Sequence, residues 1–232
     1  MTTQPVLIGC AHGTRSRAGQ ETIRTVLDQV RAAAPDLDVR EAYVDVHGPF
    51  LTEVVDGLSL REGQGAVVVP LLLAGGYHVY HDIAQAIAGH DGVKAAPALG
   101  PDQRLIDIVM ERLREAHVPR EATLVLAAAG SSDPRSQADT AEMAEMMRVS
   151  WGGPVRLGFA AGHAPSVSDA VRAARDFGED DTVAIASLLL APGVFQDRLA
   201  EAGADIVTAP LAPHPDIVSI VLDRYADVLN ER

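Results

Sequence analysis

The chain has 232 residues, 47% of them hydrophobic, with a formal charge of −13 and a single cysteine. That apolar fraction suits one large core or two small ones and excludes a disordered chain. The lone Cys10 excludes an internal disulfide framework and any cysteine-based zinc cluster, and Lys94 as the sole lysine argues against nucleic acid, whose phosphates need clustered cations. An anionic ligand would need local arginines or helix N-termini working against the overall field. Met1 to Pro5 has no basic region followed by an apolar run, and no apolar run approaches the ~18 residues of a membrane span. The expectation is a cytoplasmic protein with no membrane partner.

Val6-Leu7-Ile8-Gly9-Cys10-Ala11 is an apolar run of strand length that breaks at His12-Gly13-Thr14-Arg15. Residues 16–34 carry Ile23, Val26, Leu27 and Val30 at helical spacing. Residues 36–45 read as a second strand, ending Tyr43-Val44-Asp45-Val46-His47-Gly48-Pro49, and Pro49 suits the first turn of a helix over 50–58. Ala66-Val67-Val68-Val69-Pro70-Leu71-Leu72-Leu73 is a third strand that breaks at Gly75 and Gly76 and delivers His78; His78, Asp82 and Ala86 then fall at helical spacing. Residues 93–97 form a short fourth strand. A helix over 101–116 places Leu105, Ile106, Val109, Met110 and Leu113 on one face.

The pattern then repeats. Thr123-Leu124-Val125-Leu126-Ala127-Ala128-Ala129-Gly130-Ser131 matches the first strand and its turn, with Gly130 opposite Gly13 and Ala129 opposite His12. Gly158-Phe159-Ala160-Ala161-Gly162-His163-Ala164-Pro165 matches the segment around Asp45, with Ala161 opposite Asp45. Residues 183–195 match the third strand and its Gly turn, with Phe195 opposite His78, and residues 205–210 match 92–97. The chain is a tandem duplication of a four-strand βα unit. Alternating strands and helices predict an α/β protein with two doubly wound parallel-sheet lobes. The expected division is an N-terminal lobe over 1–118 carrying the metal site and a degenerate C-terminal lobe over 119–232. The linker is expected at 117–121.

In such sheets ligands gather outside the carboxyl ends of the strands, where His12, Asp45 and His78 all fall. Two imidazoles and a carboxylate suit Co²⁺, Fe²⁺, Ni²⁺ or Zn²⁺ better than Mg²⁺ or Ca²⁺, and three protein ligands leave positions open. The second half is an internal control, because it keeps the glycines and apolar strands but carries Ala129, Ala161 and Phe195 at the three polar positions. If folding needed those polar groups, both halves would carry them.

The HGTR turn, the Tyr43 to Pro49 segment and Val69-Pro70-Leu71-Leu72-Leu73-Ala74-Gly75-Gly76-Tyr77-His78-Val79-Tyr80-His81-Asp82-Ile83 together resemble the sirohydrochlorin chelatase family, in its duplicated two-lobe form. The resemblance covers nearly the whole chain. It implies insertion of Co²⁺ or Fe²⁺ into sirohydrochlorin in cobalamin or sirohaem biosynthesis, with Ni²⁺ also compatible as the metal substrate and no organic cofactor. The family's metal-binding and proton-removing histidines carry over to His12 and His78, and Asp45 stands where the family usually has a glutamate. For the polycarboxylate substrate, Gly13, Thr14, Arg15, Arg17, Gly130 and Ser131 are candidate anchors. Tyr77, with Leu72, Leu73, Leu189, Leu190 and Phe195, is expected to wall the ring.

Because one chain supplies both lobes, a monomer is favoured. A non-catalytic metal- or tetrapyrrole-binding protein of the same fold is the alternative. A histidine phosphatase would place arginine directly before the His-Gly pair, where this chain has Ala11, and neither a GxGxxG nor a P-loop pattern occurs. His47, matched by His163, reads as a structural turn residue; His90, His117 and His214 read as solvent-exposed; Trp151 reads as packing a turn.

Overall fold

A computed structural model of the chain describes residues 4–60, 64–76, 78–176 and 182–230, with the side chains of 78–80 outside the description. The described residues form two compact units. Unit 1 comprises Met1–Leu99 together with Pro213–Arg232, and unit 2 comprises Gly100–Ala212.

Unit 1 holds β1 (Val6–Ala11), α1 (Arg17–Ala33), β2 (Val39–Tyr43), α2 (Leu51–Asp56), β3 (Ala66–Pro70), a π-helical turn (His78–Ile83), α3 (Ala84–Ile87) and β4 (Val93–Ala95). The sheet is parallel with order β2-β1-β3-β4. β1 and β3 are buried along their whole length, so both read as unbroken apolar runs. Their alternating side chains serve two layers. Val6, Ile8 and Cys10 pack with Leu51, Val55 and Ile83 on one face. On the other face Gly9 lies under α1, where a Cβ would come within 2.4 Å of Leu27 Cδ2. The α1 stripe of Ile23, Val26, Leu27 and Val30 is buried, worth about 1.5–3 kcal/mol per side chain. Its N-cap is Ser16, whose Oγ accepts from Gly19 N at 3.3 Å.

Unit 2 repeats the plan with α4 (Gln103–Glu115), β5 (Thr123–Ala128), α5 (Pro134–Trp151), β6 (Val155–Phe159), α6 (Val167–Arg175), β7 (Val183–Leu188), α7 (Val194–Ala200) and β8 (Ile206–Val207), in the order β6-β5-β7-β8. The pairing register fixes the correspondence: Ala11 lies beside Tyr43 as Ala128 lies beside Phe159, and Leu7 beside Val67 as Leu124 beside Ala184. The last strand pair is shifted by one residue from the sequence expectation, because Lys94 pairs with Val67 as Ile206 pairs with Ala184, which sets Val93 rather than Gly92 opposite Asp205.

The division between units differs from a cut at 118/119. α4 follows β4 in sequence but packs on α5 and β7 in unit 2, while the last helix, α8 (Pro215–Asn230), packs on α1 and β3 in unit 1. Each repeat gives its final helix to the other unit. Arg224 donates to Ala98 O and Leu99 O, and Tyr225 Oη donates to Pro5 O at 2.7 Å, tying α8 into unit 1; Arg112 on α4 donates to Pro210 O and Leu211 O in unit 2. The expected linker at 117–121 accordingly lies inside unit 2, and the chain passes between units at 99/100 and 212/213.

A second difference concerns the helix after β3. One more residue separates Leu72 from Ile83 than separates their counterparts Leu189 and Leu199, and the π-helical turn absorbs it while α7 stays α-helical. Ile83 and Leu199 are both fully buried in matching cores. No helix among the described residues is long and apolar enough to cross a membrane.

Candidate active site

The order of the unit 1 sheet reverses at β1, and β1 and β3 feed their chains out at the carboxyl edge beside one another. His12 is the first residue after β1 and half-buried; its Nδ1 lies 3.3 Å from Gly13 O. With Nδ1 donating there, the lone pair sits on Nε2, the nitrogen suited to ligate or to take a proton. Asp45 follows β2 and is brought to His12 by main chain, since Val44 N donates to Ala11 O and Asp45 N donates to His12 O, both at 3.0 Å. Its carboxylate is exposed, and Oδ1 accepts from Val46 N at 2.6 Å, which fixes the side chain's pose.

Gly13 makes this approach possible. It sits at φ +99°, and a Cβ would fall 2.1 Å from Asp45 O. Gly130 repeats the arrangement at φ +93°, with a Cβ position 1.9 Å from Ala161 O, and Ala161 N donates to Ala129 O at 2.9 Å. The two strand-end loops are therefore one structure built twice, with His12 and Asp45 in one copy and Ala129 and Ala161 in the other.

His78 opens the π-helical turn eight residues beyond the end of β3. Its side chain and the whole of Tyr77 lie outside the described residues. Among the described residues, no three His, Cys, Asp or Glu side chains gather closely enough to hold an ion.

The other predicted contacts are placed as follows. Thr14 Oγ1 accepts from Ser16 N, and Gln20 Nε2 donates to Thr14 O; Ser131 Oγ accepts from Asp133 N, and Gln137 Nε2 donates to Ser131 O. Both hydroxyls thus brace their own loops. Arg15 is exposed, and Arg17, also exposed, pairs along α1 with Glu21 at 3.2 Å. Gly130 and Ser131 belong to unit 2. Leu189, expected to wall the ring, is instead a core residue of unit 2, whereas Phe195 is 40% exposed. Cys10 is buried in the unit 1 core, and desolvation pushes its thiol up to about 12, which favours the neutral form.

The CbiX family model matches residues 6–116 and again residues 123–228. The chain belongs to the CbiX family, the sirohydrochlorin chelatase family that its motifs resemble. A sirohydrochlorin ferrochelatase of Priestia megaterium is 26% identical over 152 residues, covering 62% of this chain and 56% of that protein, so the chain matches little more than half of that relative. A sirohydrochlorin cobaltochelatase of Methanosarcina barkeri is 26% identical over 130 residues, 50% of this chain but 99% of that protein. One half of this CbiX chain thus accounts for a whole shorter relative. The structure of SirB from Bacillus subtilis with Fe³⁺ superposes with a TM-score of 0.77 at 20% identity, over 99% of this chain and 98% of that one, and shares the fold.

The remaining histidines of this CbiX-family chain divide by role. His47 packs at a tilt against Tyr43 with 4.0 Å between ring centroids, and His163 packs edge-on against Phe159 at 4.8 Å, the shared turn role expected of both. His117 is exposed as expected, and His90 Nε2 pairs with Asp56 at 3.1 Å. His214 departs from expectation. Its side chain is only 14% exposed, because Nδ1 accepts from Asp216 N and caps α8. Trp151 is buried and donates Nε1–H to Ala122 O. Arg198 drew no notice in the sequence; its guanidinium donates to Ala160 O at 3.1 Å and lies 5.7 Å over the Phe195 ring. The signal available for it was its place three residues after Phe195.

Proposed function

We propose that this chain inserts Co²⁺ or Fe²⁺ into sirohydrochlorin, with His12, His78 and Asp45 handling the ion. The observation that carries the reading is the doubled loop: matching backbone hydrogen bonds and glycine approaches hold imidazole and carboxylate in unit 1 and two alanines in unit 2. The polar side chains are therefore surplus to folding, and membership of the CbiX family supplies the chemistry they suit.

Metal insertion exchanges two pyrrole N–H protons for one M²⁺, so the site must take up a hydrated ion, strip its water and receive two protons. A neutral imidazole near pH 7 serves as ligand or base. His12 Nε2 and the His78 ring are the nitrogen donors, and Asp45 contributes the oxygen not engaged by Val46 N. Arg15, Arg17 and the backbone N–H groups of Gly13 and Thr14 are the proposed anchors for the substrate's carboxylates in unit 1, Gly130 and Ser131 are the corresponding candidates in unit 2, and Tyr77 is the candidate ring contact. The reaction needs no organic cofactor. The protein works as a monomer in the cytoplasm.

The test is anaerobic mixing of the protein with sirohydrochlorin and Co²⁺ or Fe²⁺, followed by visible absorption. Insertion is expected to run well above the uncatalysed rate and to be lost in His12→Ala and His78→Ala. His90→Ala, whose imidazole pairs with Asp56 at the amino end of β4, is expected to keep it. No acceleration by the intact chain would leave the non-catalytic binding protein as the surviving reading.

A further inference from the structure

The loop between β2 and α2 makes two choices that its copy between β6 and α6 avoids. Both loops turn through the left-handed region at the residue after Asp45 or Ala161. Unit 2 uses Gly162 at φ +67°, and unit 1 uses Val46 at φ +68°. The correspondence is set by the matching hydrogen bonds on either side and by the bridges Tyr43–Phe50 and Phe159–Ser166. A β-branched residue is the least suited to that conformation, and glycine the best. Burial does not explain Val46, which is 40% exposed, and a Cβ on Gly162 would meet nothing within 4 Å.

The second choice lies at the N-cap of the following helix. Ser166 caps α6, its Oγ accepting from Asp169 N at 3.1 Å. Unit 1 places Phe50 there, which offers no acceptor and is 39% exposed; only the reciprocal bond from Phe50 N to Glu53 Oε2 remains. Within five residues, unit 1 forgoes a glycine and a capping serine and gains two exposed apolar side chains. One of them adjoins Asp45, and its Cβ lies 3.3 Å from where a Gly13 Cβ would stand.

We propose that Val46 and Phe50 form an apolar shelf that seats the flat face of the macrocycle beside His12 and Asp45, making both substrate-positioning residues. This rests on the proposed function, since it presumes a tetrapyrrole substrate. A broad, flat, apolar ring with carboxylates only at its periphery is the ligand chemistry that rewards exposed Val and Phe beside an ion-handling loop.

The experiment compares Val46→Gly, Phe50→Ser and the double variant with the intact chain, reading Tm, Co²⁺ binding without tetrapyrrole, and titration of metal-free sirohydrochlorin by visible absorption. Each single variant is expected to melt at or above the parent temperature and to bind Co²⁺ unchanged. Each is expected to bind sirohydrochlorin several-fold more weakly, with KM raised more than kcat is lowered, and the double variant at least tenfold more weakly. Gly162→Val is expected to lower Tm with sirohydrochlorin binding intact. Unchanged sirohydrochlorin affinity in the double variant, a lowered Tm in Val46→Gly, or an unaffected Tm in Gly162→Val overturns the shelf while leaving the chelatase reading standing. Failure of the intact chain to bind sirohydrochlorin overturns both.

Discussion

His12 and Ala129 occupy the same place in two copies of one loop, which gives an unusually direct guide to substitution. His12→Ala is expected to change folding stability by less than about 1 kcal/mol, because the alanine already stands in the matching position of unit 2, and to abolish metal insertion. Calorimetry and the insertion assay check the two halves of that statement separately. The glycine beside each behaves oppositely. Gly13→Ala and Gly130→Ala each drive a Cβ onto a carbonyl oxygen at a positive φ, and each is expected to lose more than about 1 kcal/mol of stability in denaturant unfolding. Cys10, its thiol pushed up to about 12 by burial, is expected to resist alkylation at pH 8 in the native state and to react once unfolded.

Among the elements, the turn after the third strand of each unit shows how one inserted residue changes a helix. In unit 2, α7 is locked to its sheet by a buried network: Ser187 Oγ donates to Gln196 Oε1, Gln196 Nε2 donates to Thr208 O, and Ser187 N donates to Thr208 Oγ1. Unit 1 has Pro70 and Ala96 where unit 2 has Ser187 and Thr208, so its π-helical turn cannot be held by the same bonds. Gln196→Ala orphans buried partners and is expected to lower stability by about 1–3 kcal/mol. Also in unit 2, Arg175 donates to the Asp205 carboxylate, as does Val183 N, and the pair holds its pKa below the ordinary carboxylate value. A depressed folded-state pKa gives stability that is present above the unfolded value, near 4, and lost as pH falls through the folded one. Asp205→Asn is therefore expected to be less stable than the parent at pH 7, with the gap closing below pH 4 in urea titrations.

For the molecule as a whole, the repeat in the sequence and the units in space do not share a boundary. Residues 1–118 contain α4, which belongs to unit 2, and lack α8, which covers α1 and β3. That fragment is expected to aggregate or to show little cooperative unfolding. Residues 1–99 joined by a short linker to 213–232 are expected to fold. Circular dichroism and size-exclusion chromatography distinguish these outcomes, and a cooperatively folded 1–118 would count against the exchange of helices.

The fold class was legible because strands buried on both faces, such as β1, β3, β5 and β7, must be continuous apolar runs, and because helices on a sheet carry a stripe. The candidate ligands His12 and Asp45 were legible from the repeat, since alanine in a retained loop separates chemistry from folding. Periodicity states that a face of α4 or α8 is apolar but not which sheet will cover it, so the exchange of those helices was decided by tertiary packing. The π-helical turn depends on where Ile83 must sit in the core, and the left-handed φ of Val46 on hydrogen bonds made across the β1–β2 edge. Valine's own preference points elsewhere. The sequence by itself determined a duplicated parallel α/β protein with one polar and one emptied strand-end loop; only the tertiary structure decided which helix closes which unit and which backbone is forced at the site.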